Sequence, residues 1–497
     1  MRLFLQPLAV VASCVLGVSA LAACGGSTAA SNDAGIITLD TGLIHIDAGR
    51  HDTGSGTGHD AGAHDTGSGD TGGGGPPEAG NSPDAEATYP GFIITAPQVV
   101  TGRGPVLSNP VFIPVFFGTD PYAAQAQAFL AAVGSSSYWM QAVSEYGVGA
   151  ATMGTPIFLD ETMPGTIDDS VVQTWLANKV GIDPRFQAIP GDDAGGAFDA
   201  GSVDATAPLS GAINQSARAP TNAIYVLYFP EGTTLTLSSG FGGGGGKTSS
   251  CGNGFGGYHN NFRMPNGSNV TYAMIPRCDS YAGFNGFDVL TATGSHELAE
   301  ASTDPEVQTA PAYYTVDTEH FIWEYALGGG EVGDMCAQFP QAFYHPSEAA
   351  LSSYTVQRIW SNVSAAMGQD PCRPALTGEV YFNTYPRVSV VNATLQGQDI
   401  GMYGTTIPVG SQAVVELDLF STAAISPWTV QAQDLGFLSG GGANLGLLIS
   451  PSSGSNGQKL KLTISALQAG QDGLSPYFLY SVNGDLQNIW VGLVVND

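Results

Sequence analysis

The stretch DVLTATGSHELAEASTDP, residues 288–305, decides how the surrounding chain folds. Asp288 is suited to cap a helix, and Pro305 disfavours helical geometry at Asp304, so the spacing predicts a helix over about 289–303. At about 100° per residue, His296, Glu297 and Glu300 fall within an arc of roughly 100°. The rest of the circumference carries Val, Leu, Ala, Gly, Ser and Thr. A surface helix spreads its charges toward water, whereas this one confines them to one strip of a small, largely apolar rod. It therefore predicts a buried helix with one polar edge turned toward an enclosed site.

Around that helix, residues 90–373 alternate helix and strand signals. VFIPVFF (111–117), AIYVLYF (223–229) and NVTYAMIP (269–276) read as buried strands, with Pro114 suggesting a strand end or sheet edge. The runs at 120–133, 136–146 and 168–180 read as helices. Between them, DDAGGAFDAGSVDATAP (192–208) reads as a surface insert. Together these predict an α+β domain built on a mixed sheet. From 374 to 497 the texture changes to VSVVNATL, AVVELDLF, WTVQAQDL, LGLLIS, KLKLTISAL, YFLYSVN and NIWVGLVV, separated by Gly, Ser, Pro and Asn turns. These seven short strands predict an all-β, immunoglobulin-like sandwich.

The spacing His296-Glu297-x-x-Glu300 looks like the zincin helix motif HExxH with glutamate in place of the second histidine. The resemblance implies a zincin-like domain in which His296 and Glu300 are metal ligands and Glu297 is the general base acting on a metal-bound water. One imidazole with carboxylates is a harder ligand set than two imidazoles. Zinc is the first expectation, with calcium or manganese second. GGGEVGDMC (328–336) offers Glu331 or Asp334 as a further ligand, its glycines allowing a close approach, although it reads as a turn rather than a helix. His259, in CGNGFGGYH (251–259), is a candidate ligand or substrate contact, and His320 and His345 have weaker claims. The bland alternative is a buried polar cluster without metal. FGGGGGKTS (241–249) is not a phosphate-binding loop, since Phe241 stands where the first glycine belongs.

The N-terminus resembles a bacterial lipoprotein signal. Arg2 precedes an apolar run at 3–20, and Leu21-Ala22-Ala23 leads into Cys24. That predicts a signal peptide over 1–23, acylation of Cys24 and membrane attachment through the lipid, outside the cytoplasm, at an outer membrane or cell surface. Residues 24–89, with HDTGSGTGHDAGAHDTGSGDTGGGGPPEAG at their centre, have too little apolar surface to fold and read as a tether. His45, His51, His59 and His64 sit in it as solvated linker residues. The 43 acidic against 14 basic side chains, a net charge of −29, argue against nucleic acid as a partner. Cys251, Cys278, Cys336 and Cys372 remain for an oxidising compartment. They allow three pairings, and the sequence-local one, Cys251–Cys278 with Cys336–Cys372, is favoured.

Taken together, VFIPVFFGTD, CGNGFGGYH, YAMIPRC, SHELAEASTDP, GGGEVGDMC and YTVQRIWSN (354–362) resemble the EXORDIUM, or phosphate-induced protein 1, family over about 108–372. The resemblance implies an extracellular protein linked to the cell wall, with no fixed reaction. Two functions follow as expectations. One is metal-dependent hydrolysis of a peptide or cell-wall polymer. The other is non-catalytic wall or glycan binding and adhesion, in which Tyr258 and Trp323 contact sugars.

Overall fold

The computed structural model describes residues 88–187, 216–237, 247–251, 255–395, 398–436 and 442–496. Cys24, the tether histidines, the insert at 192–208 and most of the 241–249 run lie outside the described residues.

Three apolar runs form the parallel strands Val111–Phe117, Ala223–Tyr228 and Asn269–Ile275, with Ala223–Tyr228 in the middle. Tyr258–Arg263 adds an antiparallel strand at one edge. Side chains alternate between two cores. Phe112, Phe116, Ile224, Val226, Ala273 and Ile275 face one, while Ile113, Val115, Tyr225, Leu227, Tyr272 and Met274 face the other. Strands buried on both faces are apolar throughout, which is why these segments read as continuous runs. The expected helices appear as Ala123–Val133, Ser137–Val143 with a 3-10 turn at Ser144–Tyr146, and Asp169–Ile182.

Pro114 does not mark an end or an edge. Its strand lies inside the sheet, paired on one side with Ala223–Tyr228 and on the other with the short strands Thr152–Met153 and Ile157–Leu159. Its missing N–H falls at the break between those two short partners, which pair with Val111–Phe112 and Val115–Phe117.

The decisive helix spans Phe287–Thr303. It begins two residues earlier than expected, with Gly286 rather than Asp288 at its cap. Asp288 instead accepts a hydrogen bond from Thr355 Oγ1 at 3.0 Å. Every residue but Phe287, Asp288 and His296 is buried. The Ser and Thr hydroxyls tolerate this because they bond back into the helix, as Ser295 to Ala292 O (2.8 Å) and Ser302 to Leu298 O (2.7 Å) do.

All seven expected strands of the C-terminal part form, in two sheets. One sheet has four strands, in the order Phe382–Pro386, Gln412–Ser421, Lys459–Ala466, Leu445–Ser450. The other has six, in the order Ser389–Leu395, Gln398–Thr406, Leu486–Val495, Leu474–Asn483, Trp428–Asp434, Ser453–Gly454. The strands not foreseen include Phe382–Pro386 and Gln398–Thr406. The latter, QDIGMYGTT, is disguised by its glycines. Gly404 is needed there, since a Cβ would come within 3.0 Å of the Leu493 carbonyl oxygen.

The two parts share one continuous apolar core. Trp323, on the helix Ile322–Leu327, meets Trp490 of the sandwich edge-on at 5.2 Å, and Tyr385 meets the same indole at 5.2 Å.

Both disulfides have the sequence-local pairing, Cys251–Cys278 and Cys336–Cys372. The second anchors the Gly-rich loop that carries Glu331 and Asp334 to the strand Cys372–Arg373. With its cysteines 36 positions apart, the chain-entropy argument assigns it about 3–4 kcal/mol. Replacing Cys336 and Cys372 together by serine should lower unfolding stability by that amount in denaturant titration.

Candidate functional site

Four elements converge on one polar pocket. The long helix brings His296, Glu297 and Glu300. The edge strand Tyr258–Arg263 brings His259, and the loop 328–336 brings Glu331 and Asp334. The strand Val356–Gln357 brings Gln357.

Strand alternation separates His259 from its neighbours. Tyr258 and Asn260 point to the opposite face, where Asp169 accepts from Tyr258 Oη (2.7 Å), Tyr272 Oη (2.7 Å) and Asn260 Nδ2 (3.1 Å). Tyr258 is therefore buried, and Trp323 lies in the core between the two parts. Neither can contact a sugar, which corrects that expectation. His320 is likewise spoken for, with Nδ1 at 2.8 Å from Asp317 Oδ1 and Nε2 at 3.2 Å from Thr95 O, and His345 is exposed away from any such cluster.

The loop reaches the helix because glycine leaves room. A Cβ on Gly333 would lie 2.7 Å from both Glu300 Oε1 and His296 Nδ1. With no side chain in the way, the backbone N–H groups of Gly333 and Asp334 each donate to Glu300 Oε1 at 3.1 Å. The loop also differs from the turn read from its sequence, since Asp334–Ala337 close one short helical turn.

The pocket holds two triads that share Glu300. In the first, His296 Nε2 lies 3.1 Å from Glu300 Oε2 and 3.7 Å from Asp334 Oδ1. In the second, His259 Nδ1 lies 3.6 Å from Glu300 Oε2 and 3.7 Å from Glu297 Oε2. Glu331 joins from the far side, 3.7 Å from His259 Nε2 rather than beside His296. Of the two loop carboxylates, Asp334 is thus the one that completes a group with His296 and Glu300.

These spacings test whether a cation fits. Bonds of about 2.0–2.1 Å in a tetrahedral shell place ligand atoms about 3.3–3.4 Å apart. The first triad's His296–Glu300 and His296–Asp334 separations of 3.1 and 3.7 Å bracket that value. Most of the imidazole–carboxylate separations are longer than a charge-assisted hydrogen bond, about 2.7–2.9 Å.

The charge balance points the same way. Glu297, Glu300, Glu331 and Asp334 face two imidazoles. Among the described residues, no Lys or Arg pairs with any of the four carboxylates. If all four carboxylates were ionised, two negative charges would stay unmatched even with both rings protonated. Burial opposes charge on both rings, but the carboxylates win. Glu331, Glu297 and Glu300 hold His259 well above its ordinary value, and Glu300, Glu297 and Asp334 raise His296 to about 10. Glu300 is driven well below the usual carboxylate range, burial being outweighed by His296 and His259. Glu297, Glu331 and Asp334 are pushed up, chiefly by burial, with the negative charge of Glu300 adding to it. His259 Nε2, on a side chain only 4% exposed, has no hydrogen-bond partner.

Two further residues line the cluster: Gln357, which was not singled out from the sequence, and Asp304, which was read there only as the end of the helix and not as a ligand. Gln357 places Oε1 at 2.9 Å from His296 Nδ1, 61 residues along the chain, and nothing local in YTVQRIWSN signals that pairing. Asp304 is fully buried, accepts from Ala312 N at 2.9 Å and is raised by burial to about 6.

No protein-family model matches the chain, and no curated protein matches it. Among solved structures, the titin M3 domain aligns over 24% of this chain and 99% of its own, at 12% identity and a TM-score of 0.15. A chimeric titin Z1Z2 aligns over 24% of this chain and 97% of its own, at 16% identity and a TM-score of 0.14. A twitchin kinase region from C. elegans aligns over 23% of this chain and 16% of its own, at 15% identity and a TM-score of 0.14. At these scores nothing about ligands or partners carries over, and the two-sheet sandwich stands on its own strand order.

Proposed function

We propose that this chain is a lipid-anchored extracytoplasmic protein whose zincin-like domain binds a divalent cation and hydrolyses a peptide or cell-wall polymer. The observation that carries the reading is the largely buried cluster of four carboxylates around two imidazoles, with no Lys or Arg paired to it among the described residues and with His259 Nε2 lacking a hydrogen-bond partner. Buried ionised carboxylates are costly, so the raised groups hold protons in the absence of a cation, and a divalent cation would take the place of those protons. His296 Nε2, Glu300 and Asp334 would hold it, zinc first and manganese or calcium next. A cation so held lowers the pKa of a bound water and polarises a carbonyl.

The protein's own groups supply the rest. Glu297 lies beside the first triad but outside it, and its raised pKa suits a carboxylate that takes a proton from water and returns it to a leaving group. Glu300 Oε1, fixed by two backbone N–H groups, keeps Oε2 turned toward the imidazoles. Sugar binding through Tyr258 and Trp323 has lost its support, since both are buried.

The test is cation content and its pH dependence. The purified protein should retain about one equivalent of zinc, manganese or calcium by elemental analysis after dialysis. Uptake must displace the proton that the carboxylates hold on His296. Deprotonation becomes easier as pH climbs toward about 10, so affinity should rise with pH. The apparent Kd should fall at least about tenfold per pH unit between about pH 6 and 9, more steeply where Asp334 also gives up a proton, read by calorimetry with proton release measured in buffers of different ionisation enthalpy. No uptake of any of the three ions would overturn the reading.

A further inference from the structure

We propose that Gln357 is a positioning residue for this centre. It fixes which ring nitrogen of His296 faces the cation and holds the Gly-rich loop at the distance the site needs. The inference rests on the cation-binding reading above and deepens it.

Gln357 is 1% exposed and makes three bonds that tie three elements together. Its backbone N–H donates to Ser295 Oγ at 2.9 Å, next to His296 on the helix. Its Nε2 donates to Gly333 O at 2.6 Å, on the loop whose N–H groups hold Glu300. Its Oε1 lies 2.9 Å from His296 Nδ1.

The loop contact orients the amide. Gly333 O can only accept, so the nitrogen of Gln357 must face it and the oxygen must face His296. An amide oxygen cannot donate, so His296 Nδ1 must carry hydrogen whether the ring is charged or neutral. When the ring gives up a proton, it gives up the one on Nε2. That is the atom 3.1 Å from Glu300 Oε2 and 3.7 Å from Asp334 Oδ1. The opposite tautomer would set a lone pair against the amide oxygen.

The choice of an amide also fits the charge. A histidine ligand often donates its other N–H to a carboxylate. Here that would bring a fifth negative group to four already buried. The amide accepts the same hydrogen bond without adding charge, and its second arm secures the loop.

The experiment titrates zinc into the full protein with a competing chelator, for the wild type, Gln357→Met and Gln357→Glu. The ring protons of His296 are followed by NMR after histidine labelling with nitrogen-15. Gln357→Met, of similar length but unable to accept, should bind zinc about 10–100-fold more weakly. Its Nδ1–H signal, slow to exchange in the wild type, should exchange rapidly. Gln357→Glu keeps an acceptor beside Nδ1, so it should retain the slow Nδ1–H and bind more tightly than Gln357→Met. Binding by Gln357→Met within twofold of the wild type, or equal weakening by both variants, would overturn the positioning role. If the wild type takes up manganese or calcium instead of zinc, the same titration is run with that ion; uptake of none of the three would instead remove the cation reading, and the inference with it.

Discussion

Glu300→Gln is expected to abolish cation binding, whereas Glu297→Gln, three positions earlier on the same helix, should leave it nearly intact. Glu300 does two jobs at once. Oε1 accepts from the backbone N–H groups of Gly333 and Asp334, and Oε2 faces His296 and His259. An amide can offer its oxygen to one side only and must turn an NH2 toward the other. It either releases the loop or presents a donor to the imidazoles and the cation. Changes to groups that merely support a ligand cost about 10–100-fold in affinity, so losing a ligand that also organises the loop should cost more than about 100-fold. Glu297 lies outside the His296 triad and has His259 as its near partner, at 3.7 Å. An amide there keeps the shape but cannot take a proton. Cation content should stay near one equivalent, while hydrolysis of peptide or cell-wall polymer falls by about 10²–10⁴-fold. Elemental analysis beside turnover separates the two roles. If Glu297→Gln loses the cation as completely as Glu300→Gln, Glu297 is a ligand and the proton-transfer role falls.

Trp490→Ala should be strongly damaging to the fold. The indole is 4% exposed and meets Trp323 and Tyr385 edge-on, each at 5.2 Å, where the sandwich packs on the first domain. Truncating a buried Trp to Ala costs about 3–5 kcal/mol through lost burial and the cavity left behind. Because the contact joins the two parts, the loss should also uncouple them. Guanidinium unfolding, followed separately by tryptophan fluorescence and far-UV circular dichroism, should change from one transition to two. A loss below about 1 kcal/mol with a single transition would show that the joint does not depend on this contact.

Much of the architecture was legible because its causes are local. The three buried parallel strands read as apolar runs, since a strand covered on both faces has no polar side to show. The sandwich strands declared themselves as short runs between turn residues, except Gln398–Thr406, where Gly404 serves a close approach to Leu493 rather than a turn. Pro114 was misread because a missing N–H is normally accommodated at an edge. Here it coincides with a gap between two short partners, which only the pairing reveals. Tyr258 and Trp323 were read as candidate sugar contacts, and both proved to be core.

The division at the site has a single physical origin. Helical periodicity alone places His296, Glu297 and Glu300 on one strip, because residues four apart must share a face whatever surrounds them. Nothing in that periodicity says which residues arrive from elsewhere. The antiparallel register of Tyr258–Arg263 against Asn269–Ile275 delivers His259 to the helix. Three glycine positions let the loop close in, sending Asp334 toward His296 and Glu331 toward His259. Gln357 comes from a strand 61 residues downstream to orient the ring. Contacts between distant segments depend on register and close packing, which the chain settles only once it has folded.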